Sequence, residues 1–173
     1  MELTEAIQGR RSIRKYKNQP IPDETVTQLI EAATYAPSAG NLQPWHFIIA
    51  KNPNAKKKLA EAAYNQAHVE QAPIVIVVCA DEKQAQPRYS KRGTNLYCIQ
   101  DTAAATQNIL LTAYSLGLGT CWIGAFDEEQ AKQAINAPEG VRPVAMIPVG
   151  YADVTPRPRA RKPLNEVCRF DGF

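Results

Sequence analysis

Histidine is nearly absent from this chain, with only His46 and His68 in 173 residues, and the shortage removes several chemistries at once. Neither stands at metal-ligand spacing from the cysteines Cys79, Cys98, Cys121 and Cys168, which form no C-x-x-C pair, so no zinc site or dithiol centre is expected. Reduced thiols of a cytoplasmic protein are the default. No Ser-His-Asp or paired-carboxylate constellation stands out. Long apolar runs are missing too: the longest, Ile74 to Ala80, is far too short to span a bilayer. The stretch Met1 to Glu5 has no basic region followed by an apolar run, so neither a leader nor a membrane association is expected. The dinucleotide fingerprint is also lacking. Gly117-Leu118-Gly119-Thr120-Cys121-Trp122-Ile123-Gly124 looks glycine-rich, but a helical pattern precedes it and Trp122 holds the third glycine position. No repeat or low-complexity tract appears.

What is present suits one globular domain over residues 1–173. A hydrophobic share of 45% and a charged share of 21% are ordinary, and a chain of this length buries roughly 70% of its unfolded surface. The net charge of +3 is small and concentrated in two segments. One is Arg10-Arg11-Ser12-Ile13-Arg14-Lys15-Tyr16; the other holds Arg157, Arg159, Arg161 and Lys162. Guanidinium forks bind phosphate bidentately, and two distant basic segments can close on one dianion. Local concentration favours an anionic ligand over a broad nucleic-acid face. A small nucleic-acid binder is the rival from another class; it predicts affinity that falls steeply with salt, and the basic runs lack the interleaved aromatics it would use.

Periodicity orders the rest. Leu3, Ala6 and Ile7 have helical spacing, with Gly9 as the stop that delivers the arginines onto an irregular segment. Asp23-Glu24 opens a second helix through Val26, Leu29, Ile30 and Ala33, and the amide-rich loop Ser38 to Pro44 feeds a buried strand over 45–50, with Phe47 and Ile49 as core. Asn52-Pro53-Asn54 starts a third helix whose lysines 56–58 read as solvated. Residues 73–80 are apolar on both faces and read as a central strand. The polar segment Asp81 to Gly93 reads as a surface loop, the stretch Asn95 to Leu116 as the longest helix, and residues 127–135 as another. Residues 144–151 form a strand that Pro148 puts partly at an edge or bulge. The Pro- and Arg-rich tail ends in Leu164, Val167, Phe170 and Phe173, apolar groups that must dock somewhere.

Four of these segments, taken in order, resemble the nitroreductase family of FMN-dependent oxidoreductases: residues 10–16, residues 37–47 (Pro37-Ser38-Ala39-Gly40-Asn41-Leu42-Gln43-Pro44-Trp45-His46-Phe47), residues 117–124, and Arg159-Ala160-Arg161-Lys162-Pro163-Leu164. The likeness runs over essentially the whole chain. It implies an α+β three-layer sandwich with a mostly antiparallel central sheet flanked by helices. It also implies an intertwined homodimer, with two FMN at the interface and the tail 153–173 extending onto the partner subunit. By the same resemblance, Arg10, Ser12, Arg159 and Arg161 hold the FMN phosphate, and Arg11 and Arg14 lie along the ribityl and pyrimidine side. A cation there stabilises the anionic reduced flavin. Pro37, Ser38 and Ala39 flank the ring from the partner, Asn41 and Gln43 hydrogen-bond ribityl or ring atoms, and Asn65 touches the ring edge. Backbone at Ile123, Gly124 and Ala125 faces flavin N5. His68 departs from the lysine that many members carry at its position.

The implied activity is transfer of hydride from NADH or NADPH to N5 and then of electrons to a nitroaromatic, quinone or flavin acceptor, in ping-pong fashion. No protein acid or base is needed, and no metal. The short segment between Asp81 and Asn95 implies an open pocket with no elaborate helical lid. Within the same fold, a specialised flavin reductase, a dehalogenase-like enzyme or an FMN-storage protein are the alternatives.

Overall fold

Alternating apolar side chains on two long strands set the architecture of the computed structural model, which describes residues 1–173. Strands β1 (Trp45–Ala50), β2 (Ile74–Asp81), β3 (Gly119–Thr120) and β4 (Val141–Gly150) form one sheet in the order β1-β2-β4-β3, with every pair antiparallel. Because successive strand residues face opposite ways, each face carries its own core. Ile74, Ile76 and Val78 with Ala145, Ile147 and Val149 build one; Val75, Val77 and Cys79 with Met146 build the other. Burial pushes the Cys79 thiol up to about 12.

Seven helices pack around the sheet, α1 (Leu3–Gly9), α2 (Asp23–Thr34), α3 (Pro53–Ala62), α4 (Ala67–Gln71), α5 (Glu82–Arg92), α6 (Cys98–Ser115) and α7 (Glu128–Ile135), and an eighth, α8 (Leu164–Val167), lies exposed in the tail. Val26, Leu29 and Ala33 of α2 meet Ala105, Ile109, Leu110 and Ala113 of α6 on the first face, and Asn108 Nδ2 donates to the Ala32 carbonyl at 3.0 Å. Leu59, Val69 and Ala131 bring α3, α4 and α7 onto the second face. Local chemistry agrees with these boundaries. Asn52 accepts from the Asn54 amide at 2.8 Å with Pro53 in the first turn, and Asp127 accepts from the Gln130 amide at 2.9 Å. The α+β sandwich with an antiparallel sheet is therefore the fold that forms. No helix is long and apolar enough to cross a membrane.

Several expectations are corrected. Asp81 to Gly93 is helix α5, not a loop: Asp81 caps it by accepting from the Gln84 amide, and a π turn, Gly93–Tyr97, joins it to α6. Its polarity misled because little of the helix is buried; only Ala85 packs inside. Helix α5 thus occupies the segment in which no elaborate helical lid is expected. Phe47 and Ile49 do pack against the core as expected, but only half-buried, since β1 is an outer strand. Lys56 is not fully solvated, because its ammonium donates to the Ala72 carbonyl at 2.7 Å, and burial lowers its pKa. Pro148 sits inside the sheet opposite Val75, while the irregularity falls beside Val78 and Cys79. On its β3 side the ladder lapses between the Thr120–Val149 and Ile123–Met146 pairs. Gly9 does end α1, but the need for glycine there is close approach: a Cβ would stand 2.2 Å from the Tyr114 hydroxyl.

Gly119 plays a similar part at β3, where a Cβ would lie within 2.9 Å of three Ile13 carbons. Gly119→Ala is expected to destabilise the protein by about 1–3 kcal/mol through overpacking. A urea titration read by far-UV circular dichroism checks this as a lowered midpoint with an unchanged slope.

Candidate functional site

The arginine segment is stitched to the sheet end by its own backbone. Ile13 N–H donates to the Thr120 carbonyl at 2.8 Å, Lys17 N–H to Tyr151 at 2.8 Å, and Asp153 N–H to Lys15 at 3.0 Å. The Ile13 side chain, 6% exposed, is the apolar anchor. Tyr16 provides a polar one: its hydroxyl lies 2.7 Å from the Ile13 carbonyl and 3.2 Å from that of Pro148. Burial drives the Tyr16 phenol far above its usual acidity range.

This stitching sorts the cations. Arg11 donates to the Gln8 and Arg10 carbonyls at the end of α1, and with Ile13 it lines a cavity of about 420 Å³ beside Tyr114 and Leu118. Arg14 instead stands close enough to Tyr16, His68 and Cys121 to bias the acidity of all three. Burial raises the Cys121 thiol, opposed by Arg14, the Ser12 hydroxyl and Arg10. Ser12 bridges Thr120 in parallel. Neither Arg10 nor Arg14 is engaged by any of the ion pairs, which tie up Lys15, Lys51, Lys83, Lys132 and Arg142 instead.

Two further predicted pieces arrive at the same place. Tyr64 and Asn65 turn the chain through the left-handed region, with φ of 55° and 60°, and Gln66 Nε2 then donates to the Ala125 carbonyl at 3.3 Å. That contact ties the Asn65 turn to residues 123–125. Ile123 is buried and paired with Met146, whereas Gly124 and Ala125 are exposed, with nothing within 4 Å of where a Gly124 Cβ would stand. His68 Nε2 is buried without a partner. Burial, and then the Arg14 charge, hold its imidazole below the ordinary 6.5. Both effects favour the neutral imidazole over a second cation. Unpaired guanidinium groups, a hydroxyl, an orphaned ring nitrogen and open backbone form a donor set that fits a phosphate-bearing, polar-edged planar group such as FMN.

The amide loop lies elsewhere. Pro44 accepts from the Asp81 amide, and Trp45 pairs with Ala80, which pairs with Arg142. The arginine segment sits instead by Gly119, which pairs with Gly150. Arg142 and Gly150 mark opposite ends of β4, roughly 26 Å apart at about 3.3 Å per residue. Pro37, Ser38, Ala39, Asn41 and Gln43 therefore do not meet Arg10, Ser12 or Arg14 within one chain. The tail takes an intermediate course. Pro156 and Pro158 line the cavity shared with Arg10 and Arg11, which brings the tail alongside them. Arg161 donates only to the Arg159 and Ala160 carbonyls, and Leu164 and Phe170 are 81% and 90% exposed.

Sequence reasoning missed Tyr16 as an anchor, Cys121 beneath the arginines, and the residues that brace the amide loop. Gln84 Nε2 donates to the Leu42 carbonyl at 2.6 Å, Arg88 Nη1 to the Gly40 carbonyl at 3.3 Å, and the Ala39 amide to Asp101 Oδ1 at 3.1 Å. Only Asp101 left a signal, as a lone acid within the apolar period of α6.

Comparison with known proteins gives a consistent result. The model of the nitroreductase family matches residues 7–70 and 63–151. A Methanothermobacter thermautotrophicus protein, named as a candidate NADH dehydrogenase/NAD(P)H nitroreductase, is 39% identical over 163 residues, covering 92% of this chain and 82% of its own. The NADH dehydrogenase of Thermus thermophilus is 34% identical over 185 residues, covering 91% and 90%. Among solved structures, the NADPH:FMN oxidoreductase from Vibrio harveyi complexed with NAD+ superposes with a TM-score of 0.91 at 29% identity, covering 99% of this chain and 77% of that one.

The surroundings of His68 generate a pH prediction. Its folded pKa is depressed, so as pH falls below 6.5 the unfolded chain takes up the proton first and stability is lost down through the folded value. His68→Gln should flatten that part of the profile. Urea midpoints of the flavin-free protein and variant between about pH 5 and 7.5 make the comparison; parallel profiles would remove the claim.

Proposed function

The chain belongs to the nitroreductase family, and we propose on that premise that Arg10, Ser12, Arg14, Asn65, His68 and the 123–125 backbone of one subunit form a flavin site that the partner's amide loop completes. The protein is an FMN-dependent NAD(P)H oxidoreductase, with FMN as cofactor and NADH or NADPH as reductant. The observation that carries the site is the separation along β4. Residues suited to the phosphate and residues suited to the ring occupy opposite ends of one sheet, so a two-fold pair of copies supplies both to each site. Exposed Leu3, Ile7, Tyr35, Ile48, Trp122 and the tail's Leu164, Val167, Phe170 and Phe173 give such a pair its apolar contact surface.

Bound FMN supplies a reversible carrier for a hydride from nicotinamide and for electrons to an acceptor, a nitroaromatic, quinone or free flavin, in alternating half-reactions at one face. What the chain contributes is binding, orientation and charge. Arg10 offsets the phosphate charge and the Ser12 hydroxyl donates a hydrogen bond to it, joined by Arg159 and Arg161, whose segment already runs beside Arg10. Arg14 supplies the positive charge near the ring, and the neutral His68 adds a hydrogen-bonding nitrogen without a second charge. Open backbone at Gly124 and Ala125 leaves the reacting edge accessible. No side chain need move a proton, because positioning and electrostatics suffice.

Chromatography of the released flavin should give FMN and not FAD. Replacing Arg14 with Gln should lower the midpoint potential of the bound flavin while leaving it bound, as read by spectroelectrochemical titration. Removing Arg159 and Arg161 together should weaken FMN binding by roughly two to four orders of magnitude, from about 1.5–3 kcal/mol per charge-assisted bond. Riboflavin, lacking the phosphate, should lose much less. Equal losses for the two flavins would show that the tail arginines do not hold the phosphate.

A further inference from the structure

Asp101 is the most buried acid in the molecule, 7% exposed in the first turn of α6, and it takes no part in the core that surrounds it. Its neighbours on that stripe are Cys98, Thr102 and Ala105. A side chain of similar size without charge would pack there at lower cost, because a carboxylate withdrawn from water must recover its hydration from partners. Asp101 recovers one: Oδ1 accepts the Ala39 amide at 3.1 Å, while Oδ2 is buried with no partner. The residue is costly where it stands, and its one return is a grip on the amide loop.

That loop needs a grip. Gly40, Asn41 and Gln43 all have φ between 53° and 56°, a left-handed backbone that side-chain-bearing residues avoid, and against that strain the turn itself sets the Asn41 amide on the Ser38 carbonyl at 2.9 Å and the Leu42 amide on the Ala39 carbonyl at 3.2 Å. Apart from Gln43 Nε2, which reaches Asn41 at 3.4 Å, three other side-chain braces exist: the Ser38 hydroxyl on the Gln43 amide, Gln84 on Leu42, and Arg88 on Gly40. All three are exposed and compete with water. The Asp101–Ala39 bond is the one made with a buried partner, at the point where the chain enters the turn.

We propose that Asp101 is a positioning residue for the flavin ring: its carboxylate locks the Ala39–Gln43 turn so that Asn41 and Gln43 are presented, already ordered, to the FMN of the partner's site. The inference rests on the flavin reading above for what the loop contacts, but not for what holds the loop. It assigns to α6, through Asp101, control over affinity at the ring end of the site. Burial, offset only by the Ala39 N–H, also raises the Asp101 pKa, as expected of an acid with a single donor.

The test compares Asp101→Ala and Asp101→Asn with the unaltered protein, each stripped of flavin and titrated with FMN and with riboflavin. Hydrogen exchange of the 36–45 peptide and the thermal midpoint are measured on the same flavin-free samples. The alanine variant should bind both flavins about tenfold more weakly, by equal factors because the loop serves the ring and not the phosphate. Its 36–45 amides should exchange faster while its thermal midpoint stays level or rises. Asn, which keeps an acceptor for Ala39, should stay within about threefold of the unaltered protein. Unchanged exchange in the alanine variant, a loss confined to FMN, a loss that tracks a falling midpoint, or an asparagine variant as poor as alanine would each overturn the proposal. If alanine does not fold, Asp101→Leu keeps the volume and removes the acceptor. If the unaltered protein binds neither flavin, the flavin reading fails, and the exchange comparison alone decides whether Asp101 holds the loop.

Discussion

The antiparallel pairing of β2 with β4 is the constraint on which the molecule depends. Both strands are buried on two faces for most of their length, so their backbones must satisfy one another and their side chains must feed two cores at once. A shift of one residue would exchange the Ile74, Ile76, Val78 set with the Val75, Val77, Cys79 set and mismatch both helical layers. Register is thereby fixed, and with it the identity of what sits at each end of the sheet. The Gly150 end receives the arginine segment through Thr120 and Tyr151; the Arg142 end receives the amide loop through Asp81 and Ala80.

Electrostatics at the Gly150 end follows from that placement. Arg10 and Arg14 are held in one region by backbone bonds and by two anchors, Ile13 and Tyr16, that carry no charge. Their mutual repulsion is not relieved by an acid of the same chain, since the nearby carboxylate, Asp153, pairs with Lys15. A region of this kind is stabilised by an anion, and binding it costs little reorganisation because the backbone is already set. The Arg142 end behaves differently. There Arg142 is paired with Glu128 through two bonds of 2.8 and 2.7 Å, and the loop beside it is neutral and rich in amide groups. One end offers charge, the other hydrogen-bonding groups and strain.

Strain and exposure in the loop explain why so much of α5 and α6 is polar where it meets residues 38–43. Exposed bonds from Gln84 and Arg88 limit the loop's motion without fixing it, while the buried bond to Asp101 supplies the fixed point. Helix α5 itself carries an unusual residue, Ser90 with φ of 50°, followed by the π turn at Gly93, where a Cβ would collide with the Ala85 carbonyl. The segment between β2 and α6 is therefore bent to fit over the loop and is not a free excursion.

Much of this was legible in the chain. Continuous apolar runs at residues 73–80 and 144–151 marked two strands, the three-and-four spacing of Leu29, Ala33, Ile109 and Ala113 marked the helices above them, and Asn52-Pro53-Asn54 and Asp127 marked helix starts. The arginine segment and the amide loop were legible as well, because charge and amide content survive any fold. Helix α5 was not, since an exposed polar helix has no apolar period to betray it, and neither was the part played by Tyr16 or Asp101, whose partners lie 132 and 62 residues away. Residue types and local spacing alone determined the elements and the chemistry on offer. Which functional groups share a site, which arginine is spent on a helix end, and which acid is buried were decided only by tertiary structure, because hydrogen-bond partnership and burial depend on distances that sheet register sets across the whole chain.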